Sequence, residues 1–437
     1  MTARRIVVVA AALVALAAAP AAADVADDCK PLGPRVQSTA CHGADVLRRD
    51  AEALCRRNVT EACQPSTSRA AVEAHEASWT HDALAFQHAL GDRVPLRNAP
   101  WVGTHNSFNS IGEMGPTVSD MDSNQQLTLI EQLRVDVRSL ELDLHWFPSA
   151  SEGGMAPIVC HGESGAGCSR EKTLREVLGP IAAWLEDHDD QVLLLYLENQ
   201  LGGAEGSDAA ADAIEDTIGR FVYRPAPGSC EELPYAATRR DVLDAGKQVV
   251  IVSNCGAGAA WRSLSFGWAD HEETRPRGFD GCHADYDRET FDRTLIRYYE
   301  DDTWLTSAAS NTPAASRDDG IDADTARLMT TCGVDLLGFD QLTADDARLD
   351  ALVWSWAEGE NVAAECAVLR PEDGRWEARR CRTKRPFACR SGSGFALTAR
   401  AYRGDKAPRG CDPPRTGREN ELAEAAAAGD AVWLALP

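Results

Sequence analysis

The hydrophobic and polar positions in the central part of the chain follow two alternating patterns. Short apolar runs, typical of buried strands, are separated by longer stretches with apolar residues at helical spacing. The runs predict strands over residues 99–104, 137–146, 157–161, 191–198, 248–254 and 335–342. The longer stretches predict helices over residues 125–134, 174–188 and 209–221. Because strands that alternate with helices form parallel sheets, and because about 255 residues are involved, the pattern predicts one α/β barrel over residues 95–351.

The segments on either side of this region have a different character. Residues 24–94 hold four cysteines and show helical spacing over 44–54 and 70–90, which predicts a helical leader braced by disulfides. Residues 352–437 are rich in Trp, Cys and turn residues, which indicates a small, disulfide-stapled, mainly β addition. Residues 255–330 are weakly patterned, so strands within them are not placed.

The first 23 residues predict a secretory signal peptide. Arg4 and Arg5 precede an apolar stretch over 6–19, and Ala21-Ala22-Ala23 forms a small-residue cleavage pattern. We therefore expect a secreted, extracellular protein. No other stretch approaches the roughly 20 apolar residues that a membrane span needs, so no transmembrane segment is expected.

The cysteine pattern agrees with export. The chain has 14 Cys and no C-x-x-C pair, which favours disulfides over zinc or redox motifs. Cys160 and Cys168 flank a Gly-rich turn, and we expect them to be bonded to each other.

The charge of the chain restricts its partners. There are 68 Asp and Glu residues against 44 Lys and Arg, which gives a net charge of −24. Such a surface repels the phosphate backbone, so nucleic acid is excluded as a partner, and simple electrostatic attachment to anionic lipid is disfavoured. Chemistry on a phosphate would need a metal cation or a few well-placed Arg residues.

Acidic side chains lie near the ends of two predicted strands. Glu141 and Asp143 share one face of their strand because side chains at i and i+2 point the same way, and Glu198 ends an otherwise apolar strand. Asn106 follows the first strand. In a parallel barrel these strand ends meet at the catalytic face. Three carboxylates and an amide oxygen favour Ca²⁺ or Mg²⁺ over zinc.

Two histidines follow predicted strands at the same face. His105 lies after the first strand and His161 after the third, and side chains of this type can act as acid and base near neutral pH. Each of these residues taken singly also has a structural interpretation, such as a core His or a carboxylate paired with Arg. Their occurrence together at successive strand ends favours a catalytic site. For His271, His283 and Asp340, which also lie in loop or strand-end positions, a structural role is favoured.

Four motifs together resemble a known enzyme family. Gly-Thr-His105-Asn106-Ser-Phe, Arg138-Ser-Leu-Glu141-Leu-Asp143, Pro157-Ile-Val-Cys-His161-Gly and Leu195-Tyr-Leu-Glu198-Asn199 resemble, in this order, the X-region of phosphatidylinositol-specific phospholipase C. The resemblance covers about residues 99–200. It implies a distorted TIM (β/α)8 barrel that cleaves the phosphodiester of an inositol phospholipid.

The resemblance also implies roles for individual residues. Asn106, Glu141, Asp143 and Glu198 match the ligands of the calcium-dependent type, whereas the calcium-free bacterial type has an Arg at the position of Asp143. His105 and His161 match the two active-site histidines, one of which stabilises the phosphate while the other protonates the leaving glycerol oxygen. Glu141 is implied as ligand, base or both.

Two departures limit what the resemblance implies. The inositol-phosphate contacts of the eukaryotic Y-type half have no match here, so preference for multiply phosphorylated headgroups is doubtful. In the tail, Glu365-Cys366, Asp373-Gly374-Arg-Trp376, Cys381 and Arg385-Pro-Phe387-Ala-Cys389 weakly resemble the end of a C-type lectin-like domain. A structural cap on the barrel is favoured over a working lectin.

Two other functions remain alternatives at this stage. One is a glycerophosphodiesterase or a sphingomyelinase D-like phosphodiesterase, which also combines His with a Glu-x-Asp pair. The other is a non-catalytic surface- or carbohydrate-binding protein. The leading hypothesis predicts a phospholipid or soluble phosphodiester as substrate, with transient contact to a membrane surface.

Overall fold

The computed structural model describes residues 69–110, 123–149, 151–160, 172–273, 276–282, 288–303 and 320–436. The predicted signal peptide, the first part of the leader, His161, Cys168 and His283 lie outside the described residues.

The centre of the molecule is a parallel sheet that curls into a ring. Strand β1 lies between β2 and β10, and the pairing continues through β4 and β6 on one side and through β9 and β8 on the other. The segment 266–273 completes the ring, because its first half pairs with β6 and its second half with β9. This is the distorted α/β barrel that the sequence predicted. The ten strands of this sheet are β1 Trp101–Thr104, β2 Ser139–Ser149, β3 Gly154–Val159, β4 Leu193–Gln200, β5 Val222–Tyr223, β6 Val249–Ser253, β7 Phe266–Gly267, β8 Asp270–Glu273, β9 Leu295–Tyr299 and β10 Leu336–Phe339.

One predicted strand is antiparallel to its neighbour instead of parallel. The run over 157–161 was expected to continue the parallel barrel, but β3 is antiparallel to β2 and forms a hairpin with it. Gly153, with φ of 68°, occupies the turn, where a residue with a side chain would be strained. The hairpin extends past the parallel strands and returns to the level of Asp143, where the Cys160 N–H donates to the Asp143 carbonyl at 3.1 Å. The residue that precedes His161 therefore lies at the catalytic face.

The barrel strands are buried on both sides, which explains their continuous apolar runs. One set of alternating residues, such as Leu195 and Leu197, packs outward under the helices. The other set points into the barrel, where Trp101, Leu194 and Leu336 fill the end at which the parallel strands begin. Polar and charged groups are thereby confined to the other end.

Several helices begin at a side-chain cap that sets their limits. Thr128, Thr173 and Thr238 each form a capping box, so the helix predicted from residue 125 starts only at Leu129. Ser78 accepts a hydrogen bond from the His81 N–H and divides the helix predicted over 70–90 into two. The α-helices in the described part of the chain are α1 Arg69–Glu76, α2 Trp79–Leu90, α3 Leu129–Arg134, α4 Leu174–Asp187, α5 Ala204–Thr217, α6 Arg239–Asp244, α7 Ala323–Cys332, α8 Ala347–Ala351 and α9 Gly417–Ala427.

The C-terminal addition packs on the leader. Its short strands are β11 Ala367–Leu369, β12 Trp376–Ala378, β13 Lys384–Arg385, β14 Ala388–Ser391, β15 Gly394–Leu397, β16 Tyr402–Arg403 and β17 Val432–Leu434. Phe86 of α2 makes edge contacts with the rings of Trp356 and Trp376. The Gln87 side chain bridges α2 to the chain after the barrel, because Nε2 donates to the Leu352 carbonyl at 2.9 Å and Oε1 accepts from the Trp354 N–H at 3.2 Å.

The cysteines of the described residues are all in disulfides. Cys160 is disulfide-bonded, but its expected partner lies outside the described residues. Disulfides of this number are typical of an oxidising compartment. No helix in the described ranges is long and apolar enough to cross a membrane. The four bridges between described residues are Cys230–Cys255, Cys282–Cys332, Cys366–Cys381 and Cys389–Cys411.

Replacement of Gln87 by Met is expected to lower the free energy of unfolding by about 2–4 kcal/mol, because the buried Leu352 carbonyl and Trp354 N–H lose their partner. Urea unfolding followed by circular dichroism measures the change. Ala89→Met, which places the same side chain on the exposed face of α2, is the matched control and should change little. Equal stability of Gln87→Met and the parent would show that this bridge does not fasten the leader.

Candidate active site

His105 is held at the C-terminal end of the barrel by the neighbouring strand. Thr104 and Phe339 are register partners on β1 and β10, so the residues that follow them, His105 and Asp340, lie side by side. His105 Nδ1 is 3.3 Å from Asp340 Oδ2, and its Nε2 is 3.2 Å from Asn106 Nδ2. The Tyr299 ring lies against the imidazole with centroids 4.9 Å apart. The Asp340 carboxylate at Nδ1 and the Tyr299 ring on one face thus hold the imidazole in place.

Asp340 is fully buried and receives several donors besides His105. The Asp302 N–H donates to Oδ2 at 2.6 Å, Asn124 Nδ2 donates to the same oxygen at 3.2 Å, and Gln125 Nε2 donates to Oδ1 at 3.1 Å. Burial raises the pKa of this carboxyl above its ordinary value, whereas the charge of His105 and these hydrogen bonds favour the ionised form. Asp340 therefore serves as a fixed negative charge beside the imidazole. Asp340 thus lies at the candidate site, beside His105.

A buried ion pair between Glu300 and Arg348 forms hydrogen bonds with the backbone of Asp340. Glu300 Oε2 accepts the Asp340 N–H at 2.6 Å and a hydrogen bond from Arg348 Nη1 at 2.6 Å. Arg348 Nη2 in turn donates to the Asp340 carbonyl at 3.0 Å. The N–H and the carbonyl of Asp340 are thereby held by the side chains of the residue that follows β9 and of a residue in α8.

This environment determines the protonation of His105. Burial alone would lower the pKa of the imidazole, since its side chain is only 12% exposed. The adjacent Asp340 carboxylate, followed by the charges of Glu141 and Asp301, raises the pKa of His105 to about 9. His105 is therefore an imidazolium at neutral pH. It carries a positive charge and can donate a hydrogen bond.

The predicted acids lie together on the inner face of the barrel. Asp143 on β2 and Glu198 on β4 are direct register partners, and Glu141 is opposite Tyr196 one step deeper. Glu141 and Asp143 are buried. The oxygens of Glu141, Asp143 and Glu198 are not all within 4.8 Å of one another, so a shared cation would have to draw these side chains closer together.

Arg297 on β9 is the cation that the structure places among these acids. Its Nη1 donates to Glu141 Oε1 at 3.1 Å, its Nε donates to Asp270 Oδ2 at 3.1 Å, and its Nη2 contacts Glu272. The guanidinium also lies over the Tyr196 ring, 4.6 Å from the centroid. This residue was not predicted, because β9 lies in the weakly patterned region where no strands were placed.

Three carboxylates share one guanidinium among the described residues at this end of the barrel. Glu141, Asp270 and Glu272 all contact Arg297, while His105 is paired with Asp340. Burial, and then the charge of Glu141, raise the pKa of Glu198 above its usual value. The excess negative charge would repel a phosphodiester unless a further cation were bound.

The loop that carries Asn106 is tied to β2. Asn106 adopts the left-handed region with φ of 43°, which Asn tolerates better than most residues, and its N–H donates to Glu141 Oε2 at 3.3 Å. The Ser107 hydroxyl accepts the Glu141 N–H at 2.8 Å, and Gln132 Nε2 donates to the Ser107 carbonyl at 2.8 Å. Asn106 is therefore positioned beside Glu141 by backbone bonds.

The structure thus brings together five of the six residues predicted for the site, and the sixth, His161, lies outside the described residues. His271 is not among them, since its ring packs against Phe291 with centroids 4.0 Å apart. The sequence missed Arg297, Asp270, Glu272 and Tyr299. The one available signal was Arg297 itself, an isolated charge within the apolar run of β9.

Comparisons with known proteins identify the family to which this chain is related. A family model described as the Rv2075c PI-PLC-like domain matches residues 63–346. Two Mycobacterium tuberculosis proteins, the uncharacterized proteins Rv2075c and MT2135, are each 37% identical over 461 residues, covering 95% of this chain and 94% of theirs.

Two solved phospholipases are also similar at low identity. The phosphatidylinositol-specific phospholipase C from Listeria monocytogenes is 15% identical with a TM-score of 0.44, over 62% of this chain and 97% of that one. The calcium-dependent phosphoinositol-specific phospholipase C from a Pseudomonas species is 15% identical with a TM-score of 0.35, over 59% and 92%.

Replacement of Asp340 by Asn is expected to lower the pKa of His105 from about 9, because burial then acts without the adjacent opposing charge. NMR titration of the His105 ring in chelator-treated protein measures this. Asp301→Asn removes an exposed acid nearby and should have a much smaller effect. An unchanged pKa in Asp340→Asn would contradict the pairing.

The same pair predicts a pH dependence of stability. The pKa of His105 is raised in the folded state above its unfolded value of about 6.5, so the stabilisation is complete below pH 6.5 and is lost as the pH rises through about 9. The difference in unfolding free energy between the parent and Asp340→Asn should therefore narrow over this range.

Proposed function

We propose, since this chain belongs to the Rv2075c PI-PLC-like family, that it is an exported, calcium-dependent phosphodiesterase that cleaves an inositol phospholipid. One observation carries the proposal: the paired His105 and Asp340 face the carboxylates of Glu141, Asp143 and Glu198 at the same end of the barrel. This arrangement combines a positive hydrogen-bond donor with acids that can hold a cation.

The proposed calcium ligands are Asn106, Glu141, Asp143 and Glu198. Their donors are all oxygen atoms, which is the chemistry that a hard divalent cation prefers. The carboxylates that lie on this face supply the negative charge that such a cation needs. When bound, calcium would supply positive charge against a phosphate oxygen and the attacking hydroxyl.

The side chains of the chain have separate proposed roles in the reaction. The headgroup hydroxyl next to the phosphate loses its proton, with Glu141 as the proposed acceptor, and attacks phosphorus. The phosphorus–oxygen bond to glycerol breaks, and His161 gives a proton to the departing oxygen. The His105 imidazolium donates to the phosphate, where charge develops in the transition state. The product is a cyclic inositol phosphate and a diacylglycerol.

A metal-free form of the same reaction is the second candidate. The observation in its favour is the 3.1 Å contact between Arg297 Nη1 and Glu141 Oε1, which places a permanent cation beside a proposed calcium ligand. In this alternative Arg297 alone would counter the charge of the phosphate. The excess of carboxylates over guanidinium favours the calcium-dependent form.

The hairpin of β2 and β3 supports transient contact with a lipid surface. It extends beyond the ends of the parallel strands at the catalytic face. Met155 on this hairpin is 45% exposed, and it is the single large hydrophobic side chain of the described residues that is exposed. A soluble phosphodiester would not need this contact, so vesicles and short-chain substrates should differ in rate.

Chelator-stripped protein is expected to lose hydrolysis of phosphatidylinositol vesicles and to regain it with calcium. Asp143→Asn should need at least about tenfold more calcium, which corresponds to about 1.4 kcal/mol of binding free energy. Phosphorus NMR of the products and calorimetry of calcium binding measure these outcomes. Glu152→Gln, which removes an exposed acid from the hairpin turn at the same end, is the control and should behave like the parent.

The outcomes separate the candidates. Full activity of the parent in chelator, together with loss of activity in Arg297→Gln, would favour the metal-free form of the reaction over the calcium-dependent form. Calcium-dependent cleavage of a glycerophosphodiester or sphingomyelin without a cyclic inositol phosphate would favour the glycerophosphodiesterase or sphingomyelinase D-like alternative. Inactivity on every phosphodiester would leave the non-catalytic surface- or carbohydrate-binding protein as the remaining alternative.

His161→Ala is expected to abolish most cleavage of the natural lipid, since an alkoxide leaving group needs a proton and acid catalysis contributes about 10²–10⁴-fold. It should largely retain cleavage of a nitrophenyl phosphoryl-inositol substrate, whose leaving group needs no proton. His105→Ala should impair both, because charge develops on the phosphate with either substrate. Steady-state rates on the two substrates test this, and equal losses in His161→Ala would contradict the acid role.

A further inference from the structure

Two histidines and an aspartate converge at the end of the barrel opposite the candidate active site. His75 ends α1 and His81 lies in the first turn of α2, so both imidazoles come from the corner between the two helices. Asp136 lies between α3 and β2, where the parallel strands begin. His75 Nε2 is 2.8 Å and His81 Nδ1 is 3.0 Å from the same atom, Asp136 Oδ2.

We propose that His75, His81 and Asp136 form a zinc site that fastens the leader helices to the barrel. Among the residues that the structure describes, this is the single group of three His, Cys, Asp or Glu side chains whose ligand atoms all lie within 4.8 Å of one another. Two imidazole nitrogens and one carboxylate oxygen suit zinc or a similar transition metal rather than calcium.

The distances fit a metal after a small adjustment. In a tetrahedral zinc site with bonds of about 2.0–2.2 Å, neighbouring donor atoms are about 3.3 Å apart. The two observed contacts to Asp136 are shorter by about 0.3–0.5 Å on that estimate, which side-chain rotation can supply. Binding requires each imidazole to carry its proton on the ring nitrogen that faces away from the metal.

The backbone and the burial of these three residues hold their side chains close to the positions that a metal needs. Asp136 adopts the left-handed region with φ of 70°, and it is buried together with His75. The Ser78 cap fixes the start of α2 and with it the backbone of His81. The Asp136 Oδ2 atom is not committed to Arg138, whose closest guanidinium nitrogen is 3.9 Å from the other oxygen.

The fourth ligand position would be taken by water. Glu76 lies nearby, but both of its oxygens are bound by Arg134 at 2.6 and 2.7 Å. A cavity of about 340 Å³ is lined by His81 and Asp136 and admits solvent to this side of the cluster. Three protein ligands with one solvent ligand is the coordination of zinc sites that keep an open position. The metal would connect α1, α2 and the segment before β2 through one centre.

The test uses the full, tag-free chain after chelator treatment. Calorimetry with zinc should give one site per chain at this cluster, and cobalt should give the visible absorption of a tetrahedral complex. Zinc at about 100 times its dissociation constant should raise the melting temperature by about 3 °C. His81→Gln and Asp136→Asn should each weaken zinc binding at least tenfold and abolish the shift. Asn is chosen at position 136 because it tolerates the left-handed backbone.

Two controls separate this site from others. His188→Gln removes an imidazole that lines the same cavity but stacks on Trp184, and Asp143→Asn removes a proposed calcium ligand at the opposite end. Both should bind zinc like the parent, so failure of the calcium proposal would leave this result unaffected. Each variant is compared with its own melting temperature in chelator, so that loss of the hydrogen bonds is not mistaken for loss of the metal.

The inference is overturned by any of three results. One is the absence of stoichiometric zinc binding and of a tetrahedral cobalt spectrum in the parent. Another is unchanged zinc affinity in both His81→Gln and Asp136→Asn. The third is an equal loss of binding in His188→Gln or Asp143→Asn.

Discussion

The guanidinium of Arg297 is the counter-charge on which the catalytic end of the barrel depends. It joins β9 to Glu141 on β2 across the interior and to Asp270 on β8, while the rings of Tyr196 and Tyr299 cover its faces. A buried carboxylate without a partner costs several kcal/mol. The barrel can therefore carry acids on its inner face only because one strand places a cation among them. The remaining excess of negative charge then makes a second cation physically reasonable.

His105 shows how the fold converts distant residues into a single chemical unit. Its partner Asp340 is 235 positions away, and the two meet because β1 and β10 are adjacent and in register. Asp340 is in turn fixed by Glu300 and Arg348, so the charge beside the imidazole cannot relax away from it. Side chains that contact no substrate thereby keep an imidazolium in place at a pH where an isolated His is mostly neutral.

The sequence predicted those parts of the molecule that depend on local pattern. Long apolar runs located β2, β4 and β6, and the i, i+2 rule placed Glu141 and Asp143 on one face. The pattern could not show that β3 turns back, because an apolar run is the same in a parallel and an antiparallel strand. Strands β7 and β8 are too short to produce a periodicity, so Asp270 and Glu272 were missed. Arg297 was missed because its role depends on partners that only the closed ring brings together.

The packing of α2 against the C-terminal addition has a consequence for how the chain folds as it is made. Gln87 and Phe86 are synthesised early, whereas Leu352, which accepts the Gln87 hydrogen bond, follows 265 residues later. Until that later segment emerges, the apolar side of α2 has no cover from Trp356 or Trp376. The contact between α2 and the C-terminal addition is therefore the last to form. A nascent chain interrupted within the barrel would present an uncovered hydrophobic surface to chaperones and proteases.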